Sequence, residues 1–469
     1  MNEQTITSER LILQNYLKEG RKFPTEIKRL FNPLYNNPVL ETDLGKYRPF
    51  DRKKVVTADL EVLQEFQELD QGIPGFLEAG PREKIAFNIP ERPDEALRIA
   101  VVTTGGLAPG LNSVVHSIVE RHLNTYGKLI NRIGGVWGFR ESFKGLAGDT
   151  PNWIKLTSEM TEDWLDKAGA ELGAIRFRKL HLKELSKKIT DNLERWGFNI
   201  LYVIGGDGSL TAAHEIAKKA QKTIVVGIPK TMDNDILWVW QSFGFNTAVA
   251  RAAAFINTMH AEVESTRRVC ILELFGARSG FVAANASLAS GHVDLVMIPE
   301  VFEKLSKKMA ENSLKIYSDY LVKTIQRKSE KPHAIIVIAE GVGEVLSEIG
   351  VNLDGKPILQ NTFPEQFKDY LKLYNIANEK VSTFTLQPRY YIRAIPANSH
   401  DHIYCKRLGA LAVDNALAGY TDFMISQWLT EYVLVPLELV AGGQKHVPPG
   451  GIFWKQVVSN TGQPPLPIE

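Results

Sequence analysis

Cysteine is scarce in this sequence: Cys270 and Cys405 are the only two among 469 residues. They are too few for a disulfide framework and fit a reducing compartment. Net charge is nearly absent as well. The 55 Lys and Arg against 54 Asp and Glu leave a formal +1, which gives no global field for nucleic acid or an anionic membrane. No apolar run approaches about 18 residues, the length a membrane-spanning helix needs. The opening MNEQTITSER is polar where a signal peptide would be apolar. A soluble cytoplasmic protein without nucleic-acid or membrane partners is expected. The ten histidines show no zinc spacing, and His400-Asp401-His402 lacks a nearby third ligand.

Two nucleotide-binding signatures are also missing. Gly105 and Gly110 have the spacing of a Walker A loop, but Leu111 and Asn112 stand where Lys and Ser/Thr belong. In GGDGSLT, Thr211 replaces the last glycine of the dinucleotide fingerprint. P-loop NTPase and NAD dehydrogenase are therefore uneconomical readings.

What is present is an α/β alternation from Leu97 onward, long enough for about two to three domains. Its centre is ILYVIGGDGSLTAAHEIAKKAQKTIVVGIPKTMDND, Ile200 to Asp235. The pattern predicts a strand at 200–204, a helix at about 210–221 and a strand at 223–228, one βαβ unit. Both turns then lie at the carboxyl ends of neighbouring parallel strands, where open α/β sheets bind ligands, and Asp207 and Asp233 come to one edge. Gly205, Gly206 and Gly208 permit close backbone approach to an anion at a helix N-terminus. Asp207 suits a phosphate-borne Mg²⁺. Lys230 supplies a point charge for a migrating phosphoryl group, and Asp233 with Asp235 could sit beside one hydroxyl. A strand-to-turn junction is rich in Gly and Asp on structural grounds too; PKTMDND after the next strand is what tips the reading.

Around this unit, LRIAVVTTG is a strand and LNSVVHSIVERHLNTYG a helix closed by Gly127. The AGAELGAIRFRKL loop carries Arg176 and Arg178, as a surface turn or as anion ligands, and 183–188 is a solvated helix face. NTAVARAAAFINTMHAEVEST is a helix capped at Asn246 or Thr247. VCILEL, DLVMIP, a long helix near 303–327 and HAIIVIAEG build a second lobe, with Glu340 ending a strand. Two doubly wound lobes with mostly parallel sheets facing a cleft are expected, plus an irregular N-terminal extension. The divisions are 1–95 for the extension, packing on the body or a neighbouring subunit; 96–245 with 402–450 for a nucleotide lobe; 246–401 for a sugar-phosphate lobe; and 451–469 for a tail without assigned chemistry.

With these motifs laid out, the chain resembles the phosphofructokinase family across roughly 97–420. TTGGLAPGLN, GGDGS, PKTMDND, FGARSGF, IAEG and YYIRAIPAN fall in that family's order. PKT, PAN and the leader's AGPREK are most similar to the long branch with trypanosomatid and plant-type enzymes. The resemblance implies a glycolytic, Mg²⁺-assisted kinase making fructose 1,6-bisphosphate from fructose 6-phosphate and ATP. Asp233 would be the base, with Lys230 and Thr231 beside it, and Asp207 would hold the metal. Gly106, Arg176, Phe177, Gly206, Gly208 and Ser209 would line the donor. Thr231, Met232, Phe275, Gly276, Ala277, Glu340, Tyr390 and Arg393 would bind the sugar phosphate. Arg268 would reach a neighbouring subunit's 6-phosphate, which implies a homo-oligomer, dimer or tetramer.

Two loops depart from the pattern. Ala277 stands where the family usually has Arg, with an Arg displaced to 278, and Ala168-Gly169-Ala170 replaces Gly-Gly-Thr. They motivate a non-catalytic regulatory subunit as an alternative, against which intact Asp207 and Asp233 speak. The other alternative is a pyrophosphate-dependent enzyme. In the resembled family Gly at 208 leaves room for the α-phosphate of ATP, whereas Asp there accompanies pyrophosphate; Lys230 occurs with both donors.

Overall fold

The computed structural model describes residues 7–41, 49–69, 72–87, 96–130, 133–175, 182–372, 382–441 and 443–466. Numbering only the strands of its two larger sheets, the chain forms β1 (Lys53–Val55), β2 (Gly75–Glu78), β3 (Leu97–Thr103), β4 (Ile133–Phe139), β5 (Trp153–Leu156), β6 (Ile200–Gly205) and β7 (Ile224–Pro229). A second lobe supplies β8 (Val269–Leu274), β9 (Leu295–Met297), β10 (Ala334–Ala339) and β11 (Thr383–Leu386). The chain then returns as β12 (Phe423–Trp428) and β13 (Glu431–Pro436).

The first sheet has nine strands in the order β1-β2-β13-β12-β7-β6-β3-β4-β5. Its middle, from β12 to β4, is parallel, and antiparallel strands close both edges. The second sheet, β9-β10-β8-β11, is parallel throughout. Strands such as IVVGIP are buried along their whole length, as expected for parallel strands covered by helices on both faces. From β3 the chain moves to β4 on one side and later to β6 on the other, so the carboxyl ends of β3 and β6 flank a topological switch point.

The N-terminal stretch is built into the first lobe. β1 and β2 extend its sheet, and Leu13, Leu17, Phe23 and Phe66 share a core with Trp238. The tail also has a structural role: Trp454 and Val457 of the helix Ile452–Thr461 enter the second lobe's core, and Gln463 bonds both backbone groups of Val296 in β9.

Three local expectations need correction. The central helix is Asp207–Ala217, so Asp207 sits in its first turn. Gly127 does not close the preceding helix; Leu111–Glu120 continues through a π segment, Arg121–Tyr126, into Gly127–Ile130. There the buried His122 meets the Tyr202 hydroxyl at 2.9 Å, and Arg121 and Tyr126 bond Asp414. The helix Phe245–Thr266 starts after Gly244, at φ 88°, not at a side-chain cap of its own. Asp401 caps it from outside, accepting from the Thr247 N–H at 2.8 Å and its hydroxyl at 2.5 Å. This accounts for the acidic member of His400-Asp401-His402 without a metal.

Candidate active site

The carboxyl edges of the two sheets face each other across a cleft of about 530 Å³. The first lobe brings three turns to it. Gly105, Gly106 and Leu107 follow β3; Gly206, Asp207, Gly208 and Ser209 follow β6; Lys230, Thr231, Met232, Asp233 and Asp235 follow β7. The second lobe brings Glu273, Phe275 and Ala277 from the end of β8, Glu340 and Glu344 after β10, and Arg389 and Arg393 after β11.

The β6 turn opens the helix Asp207–Ala217 at the cleft, with no side chain capping its start, and a helix N-terminus favours an anion there. Gly205 is dictated by packing: a Cβ there would lie 2.4 Å from that of Ser209 and 2.6 Å from the Thr104 methyl. Gly105, at φ +89°, lies under Lys230, whose ammonium donates to the Gly106 carbonyl. The Lys230 N–H in turn donates to the Gly205 carbonyl at 2.9 Å. Lys230 thus ties the β3, β6 and β7 turns together, through its ammonium and its backbone N–H.

Asp235 does not share Asp233's place. It is buried, accepting from the Thr231 hydroxyl at 2.9 Å and from Gln444 at 3.3 Å. Burial pushes its carboxyl above the ordinary range, against the hydrogen bond from Thr231, and the charge of Asp207 pushes the same way. The Thr231 hydroxyl accepts from the Asp233 N–H at 3.1 Å, so Asp235 acts on Asp233 through Thr231. From the second lobe the Ser279 hydroxyl donates to the Asp233 carbonyl at 3.4 Å.

On the opposite wall Arg393 lies 4.6 Å from the Phe275 ring, a cation–π contact. Arg389 donates to Glu273 at 2.8 Å and stands 3.7 Å from Glu340. Burial raises the Glu273 carboxyl, opposed by Arg389 and helped by Glu340. Arg278 is not among the cleft-lining residues; it pairs with Glu348 at 2.9 Å, Glu303 at 3.3 Å and the lining residue Glu344 at 3.6 Å, so its guanidinium is held by carboxylates beside the cleft.

Among the sequence-derived residues, Gly276, Arg268 and Tyr390 are not part of the cleft lining. Gly276 is required by the turn, since a Cβ would meet the Ser279 carbonyl at 2.3 Å. Tyr390 is 71 % exposed, and Arg268 is exposed with its guanidinium 5.9 Å from the Phe384 ring. Arg176 and Phe177 lie outside the described residues. Ile175 before them accepts from the Gly105 N–H at 3.0 Å. The Ala168–Ala170 loop is held by Asn112, which donates to the Lys167 carbonyl at 3.1 Å and accepts from the Glu171 N–H at 3.1 Å. Glu273, Arg389 and Gln444 line the cleft but were not among the site residues expected from the sequence. The only signal for Glu273 was an acid inside the apolar run VCILEL.

A pair of mostly parallel sheets that sets a glycine-rich helix N-terminus and an Asp-Lys turn against an arginine-bearing wall defines a phosphate-handling α/β protein of two lobes. The family model for phosphofructokinase matches residues 98–416, and the chain belongs to the phosphofructokinase family. It is 36% identical over 397 residues to the ATP-dependent 6-phosphofructokinase of Borreliella burgdorferi, covering 82% of this chain and 84% of that one. With ATP-dependent 6-phosphofructokinase 2 of Arabidopsis thaliana it shares 32% identity, covering 95% of this chain and 97% of the relative. Among solved structures, Pichia pastoris phosphofructokinase in the T-state superposes with a TM-score of 0.60 at 22% identity, over 74% of this chain and 35% of that one. The pyrophosphate-dependent phosphofructokinase of Marinobacter aquaeolei gives 0.59 at 17% identity, over 75% and 85%. Those two likenesses concern the fold. Among the described residues no helix is long and apolar enough to cross a membrane.

Proposed function

We propose that this chain transfers a phosphoryl group from ATP to the 1-hydroxyl of fructose 6-phosphate, giving fructose 1,6-bisphosphate in glycolysis. The observation that carries the reading is Asp207 and Asp233 on neighbouring strand ends, in one cleft with the Glu340 and Arg393 wall.

In this reading Asp233 takes the hydroxyl proton as the oxygen attacks the terminal phosphorus, and Lys230 lowers the energy of the charge on the transferred group. The helix N-terminus with Gly208 and Ser209 holds the donor phosphates. Thr231 and Met232 border the attacked position, and Glu340 and Arg393 receive sugar hydroxyls and the 6-phosphate. The donor set fits Mg²⁺. Among the described residues no cluster of three or more His, Cys, Asp or Glu makes an all-protein cage, while Asp207 and Asp235 are close enough for their charges to interact. A cation with one carboxylate partner and substrate phosphates matches that pattern. Asp207 would hold it, and when bound it would neutralise phosphate charge.

Gly208 supports ATP over pyrophosphate, as do the names of the relatives. Arg268, exposed and away from its own cleft, suits a role across a subunit boundary in a homo-oligomer, and the proposed location is the cytoplasm. Asp233→Asn tests the assignment: kcat falls by on the order of 10²–10⁴ with KM little changed, because a general base acts in the transition state. An equal loss in a remote surface control would sink it.

A further inference from the structure

The turn that carries Asp233 has little structure of its own. Residues 231–241 form neither helix nor strand, and Asn234 and Trp238 hold the left-handed φ values of 58° and 62°, strained conformations that persist only where the surroundings over-determine them. Within the turn, Ser242 donates its N–H to Asn234 Oδ1 at 3.0 Å and its hydroxyl to the Thr231 carbonyl at 2.5 Å.

The surroundings that impose it are residues 444–447, beyond the segment matched by the family model. Gln444 reaches Asp235 at 3.3 Å. The Lys445 N–H donates to the Asp235 carbonyl at 2.8 Å. Its buried ammonium donates to Asn234 Oδ1 at 3.1 Å and to the carbonyls of Val239 at 2.6 Å and Trp240 at 3.2 Å. All these acceptors lie on the Asp233 turn. The Val447 N–H donates at 2.9 Å to Glu300 Oε1, which also accepts from the Gly280 N–H at 2.9 Å. These residues therefore strap together the two turns that face each other across the cleft. From the N-terminal helix Ser8–Lys18, Glu9 accepts from the Trp238 N–H at 3.4 Å.

We propose that Lys445 is a positioning residue for the Asp233 turn, that its positive charge rather than its bulk does this, and that Glu9 supplies the counter-charge. The proposal rests on the role assigned above to Asp233. Lys445 interacts with the charges of Glu9 and Asp235; burial raises the Glu9 carboxyl against the pull of Lys445, the charge of His446 also acts on Glu9, and that of Asp207 acts on Asp235. Burial pulls the ammonium down to about 8, against the attraction of Glu9 and Asp235. Its charge is present below that pH and is lost as pH rises through it.

The experiment uses the full chain with Lys445→Met, Lys445→Arg and Glu9→Gln. Kinetics with fructose 6-phosphate and Mg-ATP are followed from pH 6.5 to 9.5, beside hydrogen exchange of the peptide covering 231–242. Lys445→Met lowers kcat at pH 7 by about 10–100-fold with KM values within about threefold, and it abolishes the alkaline fall in kcat. Lys445→Arg recovers most of the rate and moves that fall upward. Glu9→Gln keeps the acceptor for Trp238, folds, and moves the fall to lower pH, because the ammonium has lost a counter-charge. Exchange of 231–242 rises at least about tenfold in Lys445→Met while β6 is unchanged. Unaltered exchange, or an alkaline fall that stays in place in all three variants, overturns the proposal. Should the wild type show no turnover, the exchange arm still decides the positioning role, and only the assigned reaction fails.

Discussion

Glu300 gives a prediction whose size follows from its surroundings. Its Oε1 accepts two backbone N–H groups, from Gly280 and Val447, each at 2.9 Å, whereas Oε2 is buried without a hydrogen-bond partner. Burial outweighs those bonds and raises the carboxyl from 4.5 to about 7. A carboxyl with a raised folded pKa contributes stability that is fully present below its unfolded value and is lost as pH rises through the folded value. A rise of that size, at about 1.4 kcal/mol per unit, corresponds to about 3 kcal/mol given up between pH 4.5 and pH 8. Glu300→Gln keeps the Oε1 acceptor and removes the titration. The variant therefore gains stability relative to wild type as pH rises, by about 3 kcal/mol between pH 5 and pH 8, or about 3–7 °C in Tm depending on how much of the chain unfolds together. Differential scanning fluorimetry of both proteins at half-unit pH steps reads this directly. A Tm difference that stays constant from pH 5 to pH 8.5 would refute the reasoning, because it would mean that Glu300 has an ordinary pKa in the folded protein.

Two substitutions probe the cleft itself. Gly208→Asp places a carboxylate where the reading puts the α-phosphate of ATP, and overlap with like-charge repulsion lowers ATP turnover by orders of magnitude while sparing pyrophosphate, which has no group there; an unchanged ATP rate removes Gly208 from the donor site. Ala277→Arg adds a guanidinium to the cleft wall, beside which Arg278 is held by Glu303, Glu344 and Glu348, raising kcat through a contact worth up to a few kcal/mol; an unchanged rate means that Arg278, Arg389 or Arg393 already fills the role.

The parts of the site that were legible in the sequence are those whose geometry is local. A strand, a glycine turn and a helix in succession fix where Asp207 goes, and the next strand fixes Asp233, so β6 and β7 place both without reference to the rest of the chain. Glu340 was legible for the same reason, standing directly after the apolar run of β10. Residues that arrive by tertiary approach were not legible. Gln444 and Lys445 come from a stretch without regular structure more than 200 positions beyond the turn they hold. Arg389 acquires its place through a carboxylate on another strand, 116 residues away. The separation of Asp233 from Asp235 likewise depends on Thr231 and Gln444, which draw Asp235 inward. The helix of 245–266 was recognisable by pattern, but its cap comes from Asp401, which no local rule could supply.

ATP-dependent phosphorylation of fructose 6-phosphate is measured on the purified full chain, incubated with fructose 6-phosphate and Mg²⁺, with ATP or pyrophosphate as donor, and assayed for fructose 1,6-bisphosphate. Product is expected with ATP and little with pyrophosphate at equal concentration. Preference for pyrophosphate would contradict the donor assignment at Gly208, and absence of product with either donor would contradict the catalytic assignment of Asp233.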